Sequence, residues 1–174
     1  GKFGRDAVTG ELDGLCEGMS AMGQLGDSEF QICYEKFLSA VAYSADEYLT
    51  HGVTLAQNAW ATKKLLSYFG RIANEITPAI DVMVLPAGFL EPRLSAGELG
   101  ILLPGKNSGV FLGPRKLFVD GSFHLQTACL TEPYFKPLNG DPKYRCELAI
   151  RREKMMERIG KLHDLGFQCH IHAN

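Results

Sequence analysis

The stretch Ile80-Asp81-Val82-Met83-Val84-Leu85-Pro86 is apolar at every position but Asp81 until proline stops it. A strand exposed on one face would alternate apolar with polar residues. An unbroken run of this length, rich in β-branched side chains, instead predicts a strand buried on both faces, as in a parallel sheet covered by helices. Working outward, Val53-Thr54-Leu55-Ala56-Gln57 reads as an earlier strand, with a helix over about Thr62 to Ala73 between the two. Before these, Ser28 and Gln31 form a capping box. Phe30, Cys33, Phe37, Val41, Ala45 and Tyr48 then follow one helical stripe that Gly52 ends.

Downstream, residues Pro92 to Leu103 are read as a helix and Lys116 to Asp120 as a third strand. Residues 121–143 form a long loop of the kind that commonly carries function. A helix over about Lys143 to Leu165 follows, with Leu148, Met155, Ile159 and Leu162 on its inner face and Gly166 as its stop. Phe167 to His172 completes the pattern as a fourth strand. The order β-α-β-α-β-α-β predicts an α/β fold with a parallel sheet. Residues 1–27, glycine-rich and turn-prone at Thr9-Gly10 and Asp13-Gly14, form a loop-rich leading segment with a short hairpin and a short helix, so the folded domain is expected over 28–174.

The 174 residues carry 22% charged and 45% hydrophobic residues and a formal net charge of −2. Charge so balanced and scattered leaves no footprint for nucleic acid or anionic lipid. No apolar run approaches the roughly 20 residues of a membrane helix. The five cysteines are odd in number and lack a C-x-x-C pair, which predicts reduced structural thiols in a cytoplasmic protein.

Alternation places Gln168, His170 and His172 on one strand face and Phe167, Cys169 and Ile171 on the other. Two imidazoles two residues apart near a strand's C-terminal end suit a divalent metal; the alternative is a pair of hydrogen-bonded structural histidines. Lys116, Phe118 and Asp120 likewise share a face. A lysine turned inward is costly as a cation, so its neutral amine becomes available, unless it reaches solvent or pairs with Asp120. Gly100 to Asn107 nearly spells a phosphate-binding loop, but Asn107 stands where Ser or Thr is needed and no helix follows the lysine. A nucleotide-binding domain is therefore disfavoured. Arg151, Arg152, Lys154, Arg158 and Lys161, interleaved with Glu147, Glu153 and Glu157, read as a salt-bridged outer helix face.

Lys116-Leu-Phe-Val-Asp120-Gly121-Ser122, followed after a helix by Gly166-Phe-Gln-Cys-His-Ile-His172-Ala173, resembles the metal-dependent amidohydrolase superfamily. Within it the likeness is to the third amidohydrolase family, which includes N-substituted formamide deformylases. Gly4-Arg5-Asp6-Ala7, Thr9-Gly10-Glu11, Asp13-Gly14 and Gly52-Val53-Thr54 leading to Gln57 agree with it. The resemblance implies a (β/α)₈ TIM barrel with one or two divalent ions, zinc by expectation, at its C-terminal mouth. Lys116 is then the fourth-strand lysine that CO₂ can carboxylate, and His172 the fifth-strand metal histidine. His170 lies a layer deeper, Asp120, Gly121 and Ser122 shape the mouth, and Asn58 replaces an acidic residue common after Gln57.

It further implies metal-assisted hydrolysis of an amide or cyclic amide C–N bond in a small-molecule substrate. The first-strand His-x-His pair, the sixth-strand histidine and the eighth-strand general-base aspartate have no counterpart here. The chain is therefore expected to be an internal slice, strands two to five of a partial barrel, inactive alone and completed by the remainder of the barrel or by a homo-oligomer. The contrasting expectation is a non-catalytic half-barrel or flavodoxin-like module that associates with another chain through open strand edges.

Overall fold

The computed structural model describes residues 2–17, 32–88, 109–146 and 148–174. The predicted capping box at Ser28 and Gln31, the helix over Pro92 to Leu103 and the Gly100 to Asn107 loop lie outside those residues, as does Glu147. The chain forms two compact units, residues 1–36 and 37–174.

The first unit contains the expected hairpin. Strands β1 (Lys2–Arg5) and β2 (Leu12–Glu17) pair antiparallel. Their turn is set by Asp6, whose carboxylate accepts the amides of Val8 at 2.9 Å and Thr9 at 2.7 Å. Such a side-chain turn is what Asp in a D-x-x-T segment favours. Those same bonds hold the Asp6 carboxyl below its ordinary pKa.

The second unit is built on parallel strands. Helix α1 (Tyr34–Thr50) ends where Gly52 takes φ 75°. Ala45 of its predicted stripe is buried, and Phe37 packs its ring 5.1 Å from Phe69 and 5.4 Å from Tyr68. Tyr48 is exposed, contrary to the stripe reading. Strand β3 (Leu55–Ala61) runs further than the predicted Val53 to Gln57. Its ladder, rather than local propensity, sets its length: Leu55 to Asn58 pair with Asp81 to Val84, an irregularity follows, and Ala61 meets Pro86. Helix α2 (Lys63–Glu75) starts at Thr62, whose hydroxyl accepts the Leu65 amide, and buries Leu66, Phe69 and Ile72.

Strand β4 (Asp81–Pro86) is the central strand the apolar run predicted, with Val84 and Leu85 fully buried. Beside it lies β5 (Val110–Leu112), too short to be read from sequence. After Gly113-Pro114 the chain continues as β6 (Arg115–Phe118), which pairs in parallel with β7 (Cys169–His172). A bridge between Ala87 and Lys116 links the end of β4 to β6. The β3–β4, β4–β5 and β6–β7 pairings are all parallel. Parallel neighbours need long crossovers, here α2 between β3 and β4 and α3 between β6 and β7.

Helix α3 (Arg152–Asp164) starts nine residues later than the predicted Lys143. The segment before it is claimed by other partners: Tyr134 N–H bonds the Tyr144 carbonyl, Leu130 N–H bonds that of Arg145, and Ala149 N–H bonds that of Val119. Leu148 is consequently exposed rather than on the inner face. Cys129 and Cys146 are joined in a disulfide, which corrects the expectation of five reduced thiols; Cys16, Cys33 and Cys169 are not disulfide-bonded. The loop's fold back on itself brings residues 17 apart in sequence to a Cα separation of 4.9 Å, within disulfide reach. Met155 and Leu162 of α3 pack with Leu117 of β6, and Val119, Ile159, Phe167 and Cys169 close over them. Gly166, at φ 79°, turns the chain out of the helix as expected.

Candidate functional site

Because Leu117 faces α3, alternation turns Lys116 and Phe118 to the opposite face of β6. The register pairs Lys116 with His170 and Phe118 with His172, so the two histidines of β7 share that face. The Phe118 ring is the hub. It lies 4.7 Å from Trp60 edge to face, 5.4 Å from the His172 ring, and 5.0 Å from the Lys116 ammonium nitrogen. Sequence reasoning placed Phe118 on this face but missed Trp60. Its signal was its position, the chain's sole tryptophan one residue before the end of a strand.

Lys116 is 6% exposed, and the Phe118 ring is its recorded partner. No ion pair joins it to Asp120 among the described residues. Burial alone lowers its pKa, because withdrawing the cation from water is not offset by a nearby carboxylate. An amine in this state has a larger neutral fraction than a surface lysine. The sign for stability follows from proton binding. Between the lowered folded value and the ordinary 10.5, the unfolded chain holds a proton the folded chain lacks. Stability therefore gains a rising contribution across that window, and below it the penalty of the buried cation is felt in full. Lys116→Met should stabilise the chain modestly at neutral pH, by removing a partly desolvated cation, and flatten that alkaline rise. Urea titrations at neutral and alkaline pH measure both effects; an unchanged slope with pH would remove Lys116 as its source.

Asp120, also buried, is the acceptor centre. Its carboxylate takes the Cys129 amide at 3.0 Å and the Asn174 amide at 3.2 Å, and Oδ1 is 3.6 Å from His172 Nε2. His172 Nε2 is 2.8 Å from the Gly121 carbonyl and 3.0 Å from Asn174 Nδ2. These two contacts call for different tautomers. A protonated Nε2 donates to Gly121 O, whereas a bare Nε2 accepts from Asn174 through its single in-plane lone pair, the one a metal would take in place of Asn174. Asn174 also donates to Gly121 O at 2.7 Å, so it binds the mouth on either count. Sequence reading overlooked it, although it stands two residues after His172.

Gly121 and Ser122 form a tight turn closed by Thr127. Gly121 N–H bonds the Thr127 carbonyl at 2.8 Å and Ser122 N–H bonds Thr127 Oγ1 at 3.0 Å. A Cβ at position 121 would run into the Thr127 side chain, so the turn requires glycine. Among the described residues, no three His, Cys, Asp or Glu side chains gather as a ligand set. What the face assembles is narrower: a desolvated amine, an imidazole with a tautomer-dependent lone pair, and a buried carboxylate. The imidazole and the carboxylate are donor types that a divalent metal accepts.

No known protein-family pattern matches the chain, and no curated protein matches it. Among solved structures, it is similar to an uncharacterized metal-dependent hydrolase from Pyrococcus horikoshii OT3, at 22% identity and a TM-score of 0.65 over 97% of this chain. It is similar also to an uncharacterized metal-dependent hydrolase from Pyrococcus furiosus, at 20% identity and a TM-score of 0.66 over 97% of this chain. The chain spans 33% and 34% of those proteins, so the shared fold is that of about a third of each.

Proposed function

We propose that the chain supplies strands two to five, with their helices, of a (β/α)₈ barrel in a metal-dependent amidohydrolase. In this reading residues 28–174 are barrel and residues 1–27 lead into it. The observation that carries it is that buried Lys116 of β6 shares one face of adjacent parallel strands with His172 at the C-terminal end of β7, two residues further along the ladder. That is where barrels of this class build their sites. The fold shared with a third of two proteins titled metal-dependent hydrolases supports it.

Lys116, as its carbamate, and His172 would hold the ion. A bound divalent metal, zinc by donor type, supplies Lewis acidity toward a water and the scissile carbonyl. The remaining roles belong to this chain's own groups. Asp120 and Asn174 orient the His172 ring, Phe118 and Trp60 keep water from the Lys116 amine, and the Asp120 to Ser122 turn edges the mouth. His170, level with Lys116 in the ladder, packs one layer below His172. The proton acceptor belongs to strands beyond these, as does a full ligand set.

The substrate class is a small molecule with an amide or cyclic amide C–N bond. The other strands come from the rest of a longer polypeptide, a second chain or another copy. No described helix is long and apolar enough to cross a membrane. A cytoplasmic setting stays part of the proposal, with the Cys129–Cys146 disulfide as the feature that weighs against it. The test is hydrolysis of N-substituted formamides and cyclic amides by the full reading frame that contains this segment. Turnover that disappears in both Lys116→Ala and His172→Ala supports the assignment; turnover retained in either variant rejects it.

A further inference from the structure

A cavity of about 600 Å³ opens beside the β6 end of the site, lined by Phe118, Ala149, Ile150, Arg151, Lys154 and Arg158. Lys154 and Arg158 stand one turn apart on α3, and Arg151 is the residue that caps its start. Read from sequence, they belonged to a salt-bridged outer face. In the structure the charges are divided differently. Lys161 takes Glu157 at 2.6 Å, and that hydrogen bond is the main cause of the lowered Glu157 carboxyl pKa. Arg151, Lys154 and Arg158 have no salt bridge among the described residues, although the latter two act on Glu157 at longer range.

Three like charges converging on one cavity repel one another unless an anion sits among them. The adjoining backbone adds to this field. Arg151 is the N-cap of α3 and makes no side-chain cap, so the first amides of the helix are left for another acceptor at its positive end. Arginine forks and a helix N-terminus are the usual partners of carboxylate and phosphate oxygens.

From this cavity we infer a binding site for an oxyanion group, carboxylate or phosphate, held by Arg151, Lys154 and Arg158. Phe118 lines the cavity and also touches the Lys116 amine and the His172 ring. The oxyanion is accordingly assigned to the substrate, an amide bearing an acidic substituent, an assignment that rests on the hydrolase reading above. Binding itself needs neither metal nor turnover, so its test is separate from the test of that reading.

Isothermal titration of the 174-residue chain with sodium phosphate and with sodium acetate, at fixed ionic strength in chloride, measures it directly. Saturable binding of at least one of the two is expected, and the stronger names the group. Loss of one charged hydrogen bond should weaken it about tenfold in Arg158→Gln and in Lys154→Gln, with Glu157→Gln binding at least as tightly as the parent. Lys154 is exposed, so its variant tests the site without endangering the fold. Absence of saturable binding of both anions, or affinity unchanged in the two cation variants, would overturn the inference.

Discussion

Asp120→Ala is expected to lower stability by about 1–3 kcal/mol, because it removes the buried acceptor of the Cys129 and Asn174 amides. Cys129 N–H and Asn174 N–H both point at that carboxylate; Asn174 is exposed and can turn to water, so the half-buried Cys129 amide carries most of the loss. The two amides tie separate pieces of chain, the loop after β6 and the residues after β7, to one side chain at the strand ends. Their hydrogen exchange should therefore accelerate together, and more than that of core amides such as Val84. Asp120→Asn keeps one carbonyl oxygen and should lose roughly half as much. An unfolding midpoint that does not move in Asp120→Ala would show that the carboxylate does not anchor the mouth.

Leu162→Ala should cost about 2–5 kcal/mol, the range for a fully buried leucine whose loss leaves a cavity. Leu162 is 0% exposed and packs with Leu117 and Met155, the contact that seats α3 on β6 and β7. A domain stabilised by about 5–15 kcal/mol gives up a large share of that in one substitution. The consequence reaches the site, since β7 carries His172 and β6 carries Lys116. The control is Met156→Ala, one residue away from Met155 and 60% exposed, which should change stability by no more than about 0.5 kcal/mol. Denaturant unfolding of the two variants separates these outcomes. Equal midpoints would contradict the packing of α3 described above.

The parts legible in the sequence were those whose local pattern and tertiary role agree. The apolar run of β4, the Thr62 start of α2 and the Gly166 stop of α3 each state their structure within a few residues. Period-two alternation was enough to place Lys116 with Phe118, and His170 with His172, on common faces. What escaped was decided by partners distant in sequence. Strand β5 has three residues and exists through its pairing with β4. The length of β3 follows from an irregular register that no local signal marks. Residues 143–150 have helical amphipathicity in sequence, yet backbone bonds of Tyr144, Arg145 and Ala149 to Tyr134, Leu130 and Val119 and the Cys129–Cys146 link hold residues 143–146 and 148–150 in loop. Trp60 and Asn174 joined the site through contacts across strands, which single-sequence periodicity does not report.

The central claim is that Lys116 and His172 face a common ion, and metal content tests it most directly. Elemental analysis after exhaustive dialysis, on the full reading frame that carries this segment, should find stoichiometric zinc or another divalent metal. Lys116→Ala and His172→Ala should each lower that content while circular dichroism stays unchanged. The 174-residue chain alone, with too few ligands, should retain little. Metal held at the parent level in both variants, or by the short chain with both residues replaced, would contradict the account.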